Sequence, residues 1–117
     1  MKIILDTDFL LNSIRNKIDL SSELRRICDF KFEICVLEES LKEIEGKKDE
    51  NIAKELIKKL NIEVIMNENI KHESVDDILL RMKDAIVATQ DKELKKKLKE
   101  KRIKVITIRQ KKHLVFC

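Results

Sequence analysis

Residues 86–108 of the chain read IVATQDKELKKKLKEKRIKVITI. The apolar run Ala85 to Ala88 has the length and composition of a buried strand, and Asp91 then opens a basic helix from Lys92 to Lys101. A last core strand follows, marked by the alternating residues Ile103, Val105 and Thr107. A strand, a helix and a second strand in this order predict a β-α-β unit with parallel strands.

The rest of the chain repeats this alternation. The other predicted strands are Lys2–Leu5, Glu33–Leu37 and Ile62–Met66, with a further short strand at Leu114–Phe116. The other predicted helices are one capped by Asp8 and running to about Asn16, one started by Ser21 or Ser22, Glu38–Glu45 ended by Gly46, Glu50–Leu60, and one from Ser74 through Met82. The pattern predicts an α/β fold with a central, mainly parallel sheet covered by helices on both faces.

Length and composition narrow the class of protein. A chain of 117 residues, 43% of them hydrophobic, is expected to form a single folded domain over residues 1–117. Three cysteines without a CxxC pair and only two histidines argue against a disulfide framework and against a His-rich zinc site. The opening apolar run is broken at Asp6, and no stretch approaches the ~20 apolar residues of a membrane span. We therefore expect a soluble, cytoplasmic protein.

The charge is unevenly distributed. Residues 92–112 contain 11 Lys and Arg but only two acids, a net charge of +9 within a chain total of +4, so the remainder carries −5. A basic surface beside an acidic one suits a metal-dependent nucleic-acid enzyme, because one attracts phosphate and the other holds cations. The alternative is a solvated lysine face on a helix, and charge alone favours that alternative.

Two acids follow predicted strands directly. Asp6 comes after the first strand, and Asp91 lies three residues after Ala88. In parallel sheets ligands bind beyond the carboxyl ends of the strands, near the switch in strand order, so these carboxylates are candidates for a site. Both also suit the N-cap position of the helix that follows, which is the structural alternative.

Three further acids lie on predicted helices. Asp76 and Asp77 occur in the first turn of the Ser74 helix, where acids also complement the positive helix end, and Glu43 lies between the apolar positions of its helix. Carboxylates that converge on one rim repel each other unless cations neutralise them, and oxygen ligands suit Mg²⁺ or Mn²⁺. Two such ions could activate water and stabilise the leaving oxygen of a phosphodiester.

Three blocks of sequence resemble PIN-domain ribonucleases. Ile3–Leu11 (IILDTDFLL) looks like the opening strand and loop of PIN domains, Val36–Gly46 (VLEESLKEIEG) resembles their second block, and the most specific match is Ile86–Ile108. The last block is similar to small archaeal VapC-like ribonucleases and to the eukaryotic PIN nuclease that trims small-subunit ribosomal RNA precursors. The resemblance implies a three-layer PIN-like fold, Mg²⁺- or Mn²⁺-dependent cutting of RNA, and frequent homodimers. It also implies either a toxin with an antitoxin partner or a nuclease that works with ribosome-assembly partners.

The resemblance assigns roles to particular residues. Asp6, Glu43 and Asp91 would hold metal, and Asp76 would hold metal or orient the attacking water. Asp77 and Asp84 are alternatives for the third acid, because the interval from Asp76 to Asp91 is about one helical turn shorter than in the family. The remaining assignments are Thr89, which would support the acids by hydrogen bonding, and a phosphate-binding face of Lys95, Lys96, Lys97, Lys99, Lys101 and Arg102.

Two other functions stay open on the sequence. The shortened helix before Asp91 is compatible with a non-catalytic PIN scaffold that binds RNA within a ribonucleoprotein. A structure-specific DNA nuclease is a weaker alternative, because a chain of this length lacks room for the insertions that grip DNA.

Overall fold

Strands and helices alternate along the chain in the computed structural model, which describes residues 1–67 and 72–117. The strands are β1 (Lys2–Leu5), β2 (Glu33–Leu37), β3 (Glu63–Ile65), β4 (Ala85–Ala88), β5 (Val105–Arg109) and β6 (His113–Phe116). The helices are α1 (Thr7–Arg15), α2 (Leu20–Ile27), α3 (Glu38–Ile44), α4 (Glu50–Lys59), α5 (Val75–Arg81) and α6 (Lys92–Glu100). None of the helices in the described part of the chain has the length and apolar character needed to span a bilayer.

All six strands form one sheet in the order β3-β2-β1-β4-β5-β6. The first five strands are parallel to their neighbours, and only β6 runs antiparallel, against β5. Strand order reverses between β1 and β4, where Leu5 pairs with Val36 on one side and Ala88 on the other. This is the position at which doubly wound sheets open a crevice for ligands.

Two apolar cores cover the two faces of the sheet. Residues Ile3 and Leu5 of β1 point into a core built with α1 to α4, and Ile4 points into a second core with α5 and α6. Strand residues alternate between the faces, and both faces are apolar, so the strands appear in the sequence as continuous hydrophobic runs. The predicted three-layer α/β fold is therefore confirmed.

The helix starts differ from the prediction in two places. Asp8 was the expected cap of α1, but the cap is Asp6, whose carboxylate accepts the Thr7 N–H, and Asp8 is exposed in the first turn. The second helix begins at Leu20 rather than at a serine, because Asp19 accepts the Ser22 N–H. Aspartate caps as well as serine does, so the sequence offered several equivalent starts.

The remaining boundaries lie close to the prediction. Helix α3 ends where expected, since Gly46 follows it at φ +76°, a conformation in which glycine is not strained. The last parallel strand begins at Val105, because Arg102 turns the chain at φ +59° and leaves Ile103 outside the strand. The possible final strand exists and covers the free edge of β5.

Candidate active site

Asp6 lies at the centre of the crevice, immediately after β1. Its side chain is only 7% exposed, and both carboxylate oxygens accept hydrogen bonds, Oδ1 from the Thr7 N–H at 2.8 Å and Oδ2 from the Thr89 hydroxyl at 2.8 Å. Burial raises the pKa of Asp6 to about 6, although these two donors oppose the rise; the negative charges of Asp76 and Asp8 add to it. The site therefore holds a buried carboxylate whose ionised form is disfavoured by desolvation.

Glu43 joins Asp6 through Thr7. The Thr7 hydroxyl donates to Oε1 of Glu43 at 2.7 Å, while the same residue's N–H donates to Asp6. Helix α3 packs against α1 and brings Glu43, which is exposed, to the mouth of the crevice. Thr7 was not among the sequence-predicted site residues; its place next to Asp6 was the only signal for it.

Asp91 joins Asp6 from the other side, through Thr89. The Thr89 hydroxyl donates to Asp6 and accepts the Asp91 N–H at 3.2 Å. Oδ1 of Asp91 accepts the N–H groups of Glu93 and Leu94 at 2.9 and 3.1 Å, so Asp91 is also the N-cap of α6. For both strand-end acids, capping and a place in the crevice occur together rather than as alternatives.

Asp76 completes the group from the first turn of α5. It is an exposed residue, yet its pKa is raised, first by desolvation and then by the negative charges of Asp91 and Glu43. A carboxyl influenced by these two acids lies near both of them. Although α5 is short, its start at Ser74 brings Asp76 to the carboxyl edge of the sheet.

The other two candidates for the third acid are placed differently. Asp77 is exposed and adjoins Asp76 in the first turn of α5. Asp84 immediately precedes β4 at φ +54°, and it therefore lies at the amino edge of a sheet whose carboxyl edge carries Asp6. The fold separates Asp84 from the other acids.

The donor chemistry of this group fits a hard divalent cation. The ligands at hand are carboxylates and hydroxyls, and none of the group is His or Cys; a cation would also favour the ionised form of Asp6, which burial disfavours. Within residues 1–67 and 72–117, no three His, Cys, Asp or Glu side chains are already arranged closely enough to surround an ion. Closer approach of these acids is opposed by their mutual repulsion.

Gln90 fixes the loop between Thr89 and Asp91. Its Oε1 accepts the Thr107 hydroxyl at 2.5 Å and the Ile108 N–H at 2.6 Å, both on β5. Gln90 thereby accepts a backbone N–H of β5 that a neighbouring strand would otherwise bind. The same contact restrains Thr89 and Asp91, the residues on either side of Gln90. Composition and spacing carried no signal for this role.

The predicted phosphate-binding residues do not share one face of α6. Turns of about 100° per residue put Lys97 and Lys101 on the side of α5, where the Lys101 ammonium donates to the Leu80 carbonyl at 3.4 Å. Asp76 lies one turn before Leu80 on α5, and Lys97 lies one turn before Lys101 on α6. Because Lys101 contacts Leu80, Lys97 comes near Asp76, where its ammonium lowers the pKa of the Asp76 carboxyl. The others, Lys95, Lys96, Lys99 and Arg102, lie on other faces or beyond the helix.

Comparisons with known proteins agree with this architecture. Residues 3–111 match the family described as PIN like domain. The chain is 34% identical over 122 residues to Ribonuclease VapC4 of Methanocaldococcus jannaschii, across 96% of this chain and 93% of that protein. Its fold matches the structure of the PIN domain endonuclease Utp24 with a TM-score of 0.84 at 24% identity, over 98% of this chain and 90% of the other.

The family match confirms the resemblance seen in the three sequence blocks. It spans nearly the whole chain and includes Asp6, Glu43, Asp76 and Asp91, the acids that the fold brings to one edge of the sheet. The chain therefore belongs to the PIN-like domain family.

Proposed function

We propose that this protein is a divalent-metal-dependent endoribonuclease. The observation that carries the proposal is the hydrogen-bonded chain at the switch point, in which Glu43, Thr7, Asp6, Thr89 and Asp91 are linked in that order. Asp76 adds a fourth carboxylate within electrostatic reach. The similarity to Ribonuclease VapC4 over nearly the full length of both proteins supports RNA as the substrate.

Each residue of the group has a distinct task in the proposed reaction. Asp6, Glu43 and Asp91 would hold Mg²⁺ or Mn²⁺, and Asp76 would hold metal or orient the attacking water. The bound ion would supply an activated water and stabilise charge on the leaving oxygen of the phosphodiester. The Thr89 hydroxyl contacts both Asp6 and the Asp91 N–H, so it orients the Asp6 carboxylate and restrains the Asp91 backbone. The Thr7 hydroxyl donates to Glu43 and orients its carboxylate.

Two cellular roles fit such an enzyme, and both are proposals about partners rather than about the site. One is a toxin of the VapC type held inactive by an antitoxin; the other is processing of ribosomal RNA with ribosome-assembly partners. In either role we propose a cytoplasmic homodimer. A small antitoxin reading frame just upstream, together with growth arrest on expression, would identify the toxin, and their joint absence would favour processing.

The function is tested by incubating purified protein with a structured RNA and Mn²⁺. Cleavage should require the ion and should be lost in Asp6→Asn and Asp91→Asn. Asp84→Asn is the matched control, because it makes the same change at the opposite edge of the sheet, at a positive φ that asparagine tolerates. If Asp6→Asn cuts as fast as the wild type, or if Asp84→Asn loses cleavage equally, the assigned site is wrong.

A non-catalytic RNA-binding scaffold is the second candidate. It is favoured by one observation, that no three metal-ligating side chains of the described residues are already gathered around a common point. A scaffold would bind RNA in a salt-sensitive manner but would not cut it in the presence of Mn²⁺ or Mg²⁺. The same incubation therefore separates the two functions.

A further inference from the structure

A second basic surface lies at the turn between β5 and β6. The turn and its flanks read Arg109-Gln110-Lys111-Lys112-His113, with three Lys or Arg residues and no acid, and all five residues are exposed. The chain reverses here at positive φ, +55° at Gln110 and +57° at Lys111, as a tight hairpin turn requires. We refer to residues 109–113 as the basic turn.

The topology places the basic turn at the same edge of the sheet as the acids. β5 runs parallel to β4 and β4 runs parallel to β1, so all three end where Asp6 and Asp91 lie. Strands are ~4.8 Å apart, which puts the turn about 10 Å along the edge from the end of β1. β5 also continues three residues past Ile106, the partner of Ala88, so Arg109 lies a further ~10 Å outward from the end of β4 at ~3.3 Å per residue.

Helix α6 leads away from this edge. It starts beside Asp91 and runs back toward the amino ends of the strands, so nine residues at ~1.5 Å each carry its last turn about 13 Å from the acids. Lys99, Arg102 and Lys104 therefore lie toward the far edge. The excess positive charge does lie in residues 92–112, as the sequence indicated. The part of this charge at the same sheet edge as the acids includes the basic turn as well as the start of α6.

Side-chain contacts hold the basic turn in place from two directions. On the side of the acids, Gln90 accepts the Ile108 N–H next to Arg109. On the outer side, Glu23 of α2 accepts the Leu114 N–H at 2.8 Å, and Arg26 donates to the Leu114 carbonyl at 2.8 Å. The turn is therefore positioned relative to Asp91 rather than free to move independently of it.

From this placement we propose that the basic turn is a phosphate-binding surface for single-stranded RNA that enters the acidic crevice. The proposal deepens the proposed function and rests on it, since the bound strand is taken to be the one that is cut. Arg109, Lys111 and Lys112 would each contact a phosphate, and RNA fits this surface because its negative backbone can pass from the basic turn to the cations held by the acids.

The test compares two triple variants that remove the same charges. One is Arg109→Gln/Lys111→Gln/Lys112→Gln in the basic turn. The control is Lys59→Gln/Lys83→Gln/Lys104→Gln, at residues that end α4 or precede β4 and β5 at the amino edge of the sheet, and all six residues are exposed. Binding of a fluorescein-labelled oligouridylate is measured by anisotropy in EDTA over a range of salt. Thermal melting verifies that both variants fold.

The turn variant should lose about tenfold or more in affinity near physiological salt, and its log–log salt slope should fall by about 2, because each lost contact to a single strand removes ~0.7. The control should stay within about twofold of the wild type. Equal losses in both variants, an unchanged turn variant, or a wild type that does not bind the oligonucleotide would each overturn the proposal. Because EDTA prevents cleavage, binding through the turn can be established even if the separate Mn²⁺ incubation shows no cutting.

Discussion

Asp6 caps α1, follows β1 directly and is buried, and the burial of its carboxylate should lower the folding stability of the protein. Because burial raises its pKa to about 6 in the folded protein, ionisation disfavours the folded state as pH rises from about 4 to about 6. In EDTA, Asp6→Asn should therefore be more stable than the wild type above about pH 6, by roughly 1–3 kcal/mol. Asparagine can still accept the Thr7 N–H.

Urea denaturation in EDTA at about pH 4 and about pH 8 measures this difference. The advantage of Asp6→Asn should be absent at the lower pH and full at the higher one. A variant that is less stable than the wild type at both values would mean that the hydrogen bonds to the carboxylate outweigh its desolvation. A destabilising carboxylate in the proposed site would fit the general trade between stability and activity.

Thr89 links Asp6 to Asp91 in the hydrogen-bonded chain, and it is completely buried. Thr89→Val keeps the shape but removes the hydroxyl that contacts Asp6 and Asp91, so the Mn²⁺ concentration for half-maximal cleavage should rise about 10- to 100-fold. Thr89→Ser retains the hydroxyl and should stay near the wild type. If valine and serine are equally impaired, packing rather than hydrogen bonding explains the effect.

At the scale of elements, the sequence was sufficient for the order of strands and helices. The strands are buried on both faces, which makes them short continuous apolar runs, such as IIL before Asp6 and AIVA before Thr89. Helix starts were less certain, because Asp6 and Asp8 have equal capping chemistry. In the structure Asp6 accepts the Thr7 N–H, while the Thr7 hydroxyl donates to Glu43 of α3. Local rules therefore predicted the elements, and tertiary contacts determined their ends.

The candidate site was predictable only in part, for a related physical reason. Asp6 and Asp91 follow from strand-end positions, whereas Glu43 and Asp76 needed the family resemblance, because a helical acid gives no local sign of its direction. The structure places Asp84 at the wrong edge, which follows from strand polarity. Thr7, Gln90 and the basic turn were missed because their roles depend on contacts between distant segments of the chain.

The α2–β6 contact should contribute to stability in a pH-dependent manner. Hydrogen bonds from Arg26 and from the Leu114 N–H hold the pKa of Glu23 at about 2, so its contribution is present above about pH 4.5 and is lost as pH falls toward 2. Glu23→Gln should cost about 1 kcal/mol near neutral pH. Denaturation of this variant and of Glu55→Gln, an exposed glutamate on α4, measures it.

For Glu23, the difference from the wild type should shrink toward zero at about pH 2.5 while the Glu55→Gln protein stays near the wild type throughout. A loss that is constant across pH would show that the neutral side chain serves equally well. The basic turn depends on this contact, because Leu114 follows it directly.

The pairing of α5 with α6 gives a prediction about Asp76. Lys97 is the cation that lowers the pKa of Asp76 against the combined effect of desolvation, Asp91 and Glu43. In EDTA, Lys97→Gln should therefore shift the Asp76 titration upward, as followed by carboxyl carbon NMR. Lys96→Gln removes the same charge from the outer face of α6 and should leave that titration nearly unchanged. Equal shifts would mean that Asp76 senses only net charge.

At the scale of the whole molecule, four of the 22 acids, Asp6, Glu43, Asp76 and Asp91, lie near the reversal of strand order. The parallel strands β1 and β4 end together there, and α1, α3, α5 and α6 contribute acids or caps from both layers. The fold therefore brings together carboxylates that would separate in an unfolded chain. A cation that binds among them should favour the folded state as a whole, beyond any effect on catalysis.

The size of that effect follows from linkage. An ion that binds only the folded protein stabilises it by about 2.7 kcal/mol at 100 times its dissociation constant. For a domain of this size that corresponds to a rise in melting temperature of roughly 10 °C. Scanning calorimetry with increasing Mn²⁺ should show this rise for the wild type and for Asp84→Asn, but little or none for Asp6→Asn. An equal rise in all three proteins would mean that the ion binds elsewhere, and no rise in any would leave the acids as a structural cluster without a metal.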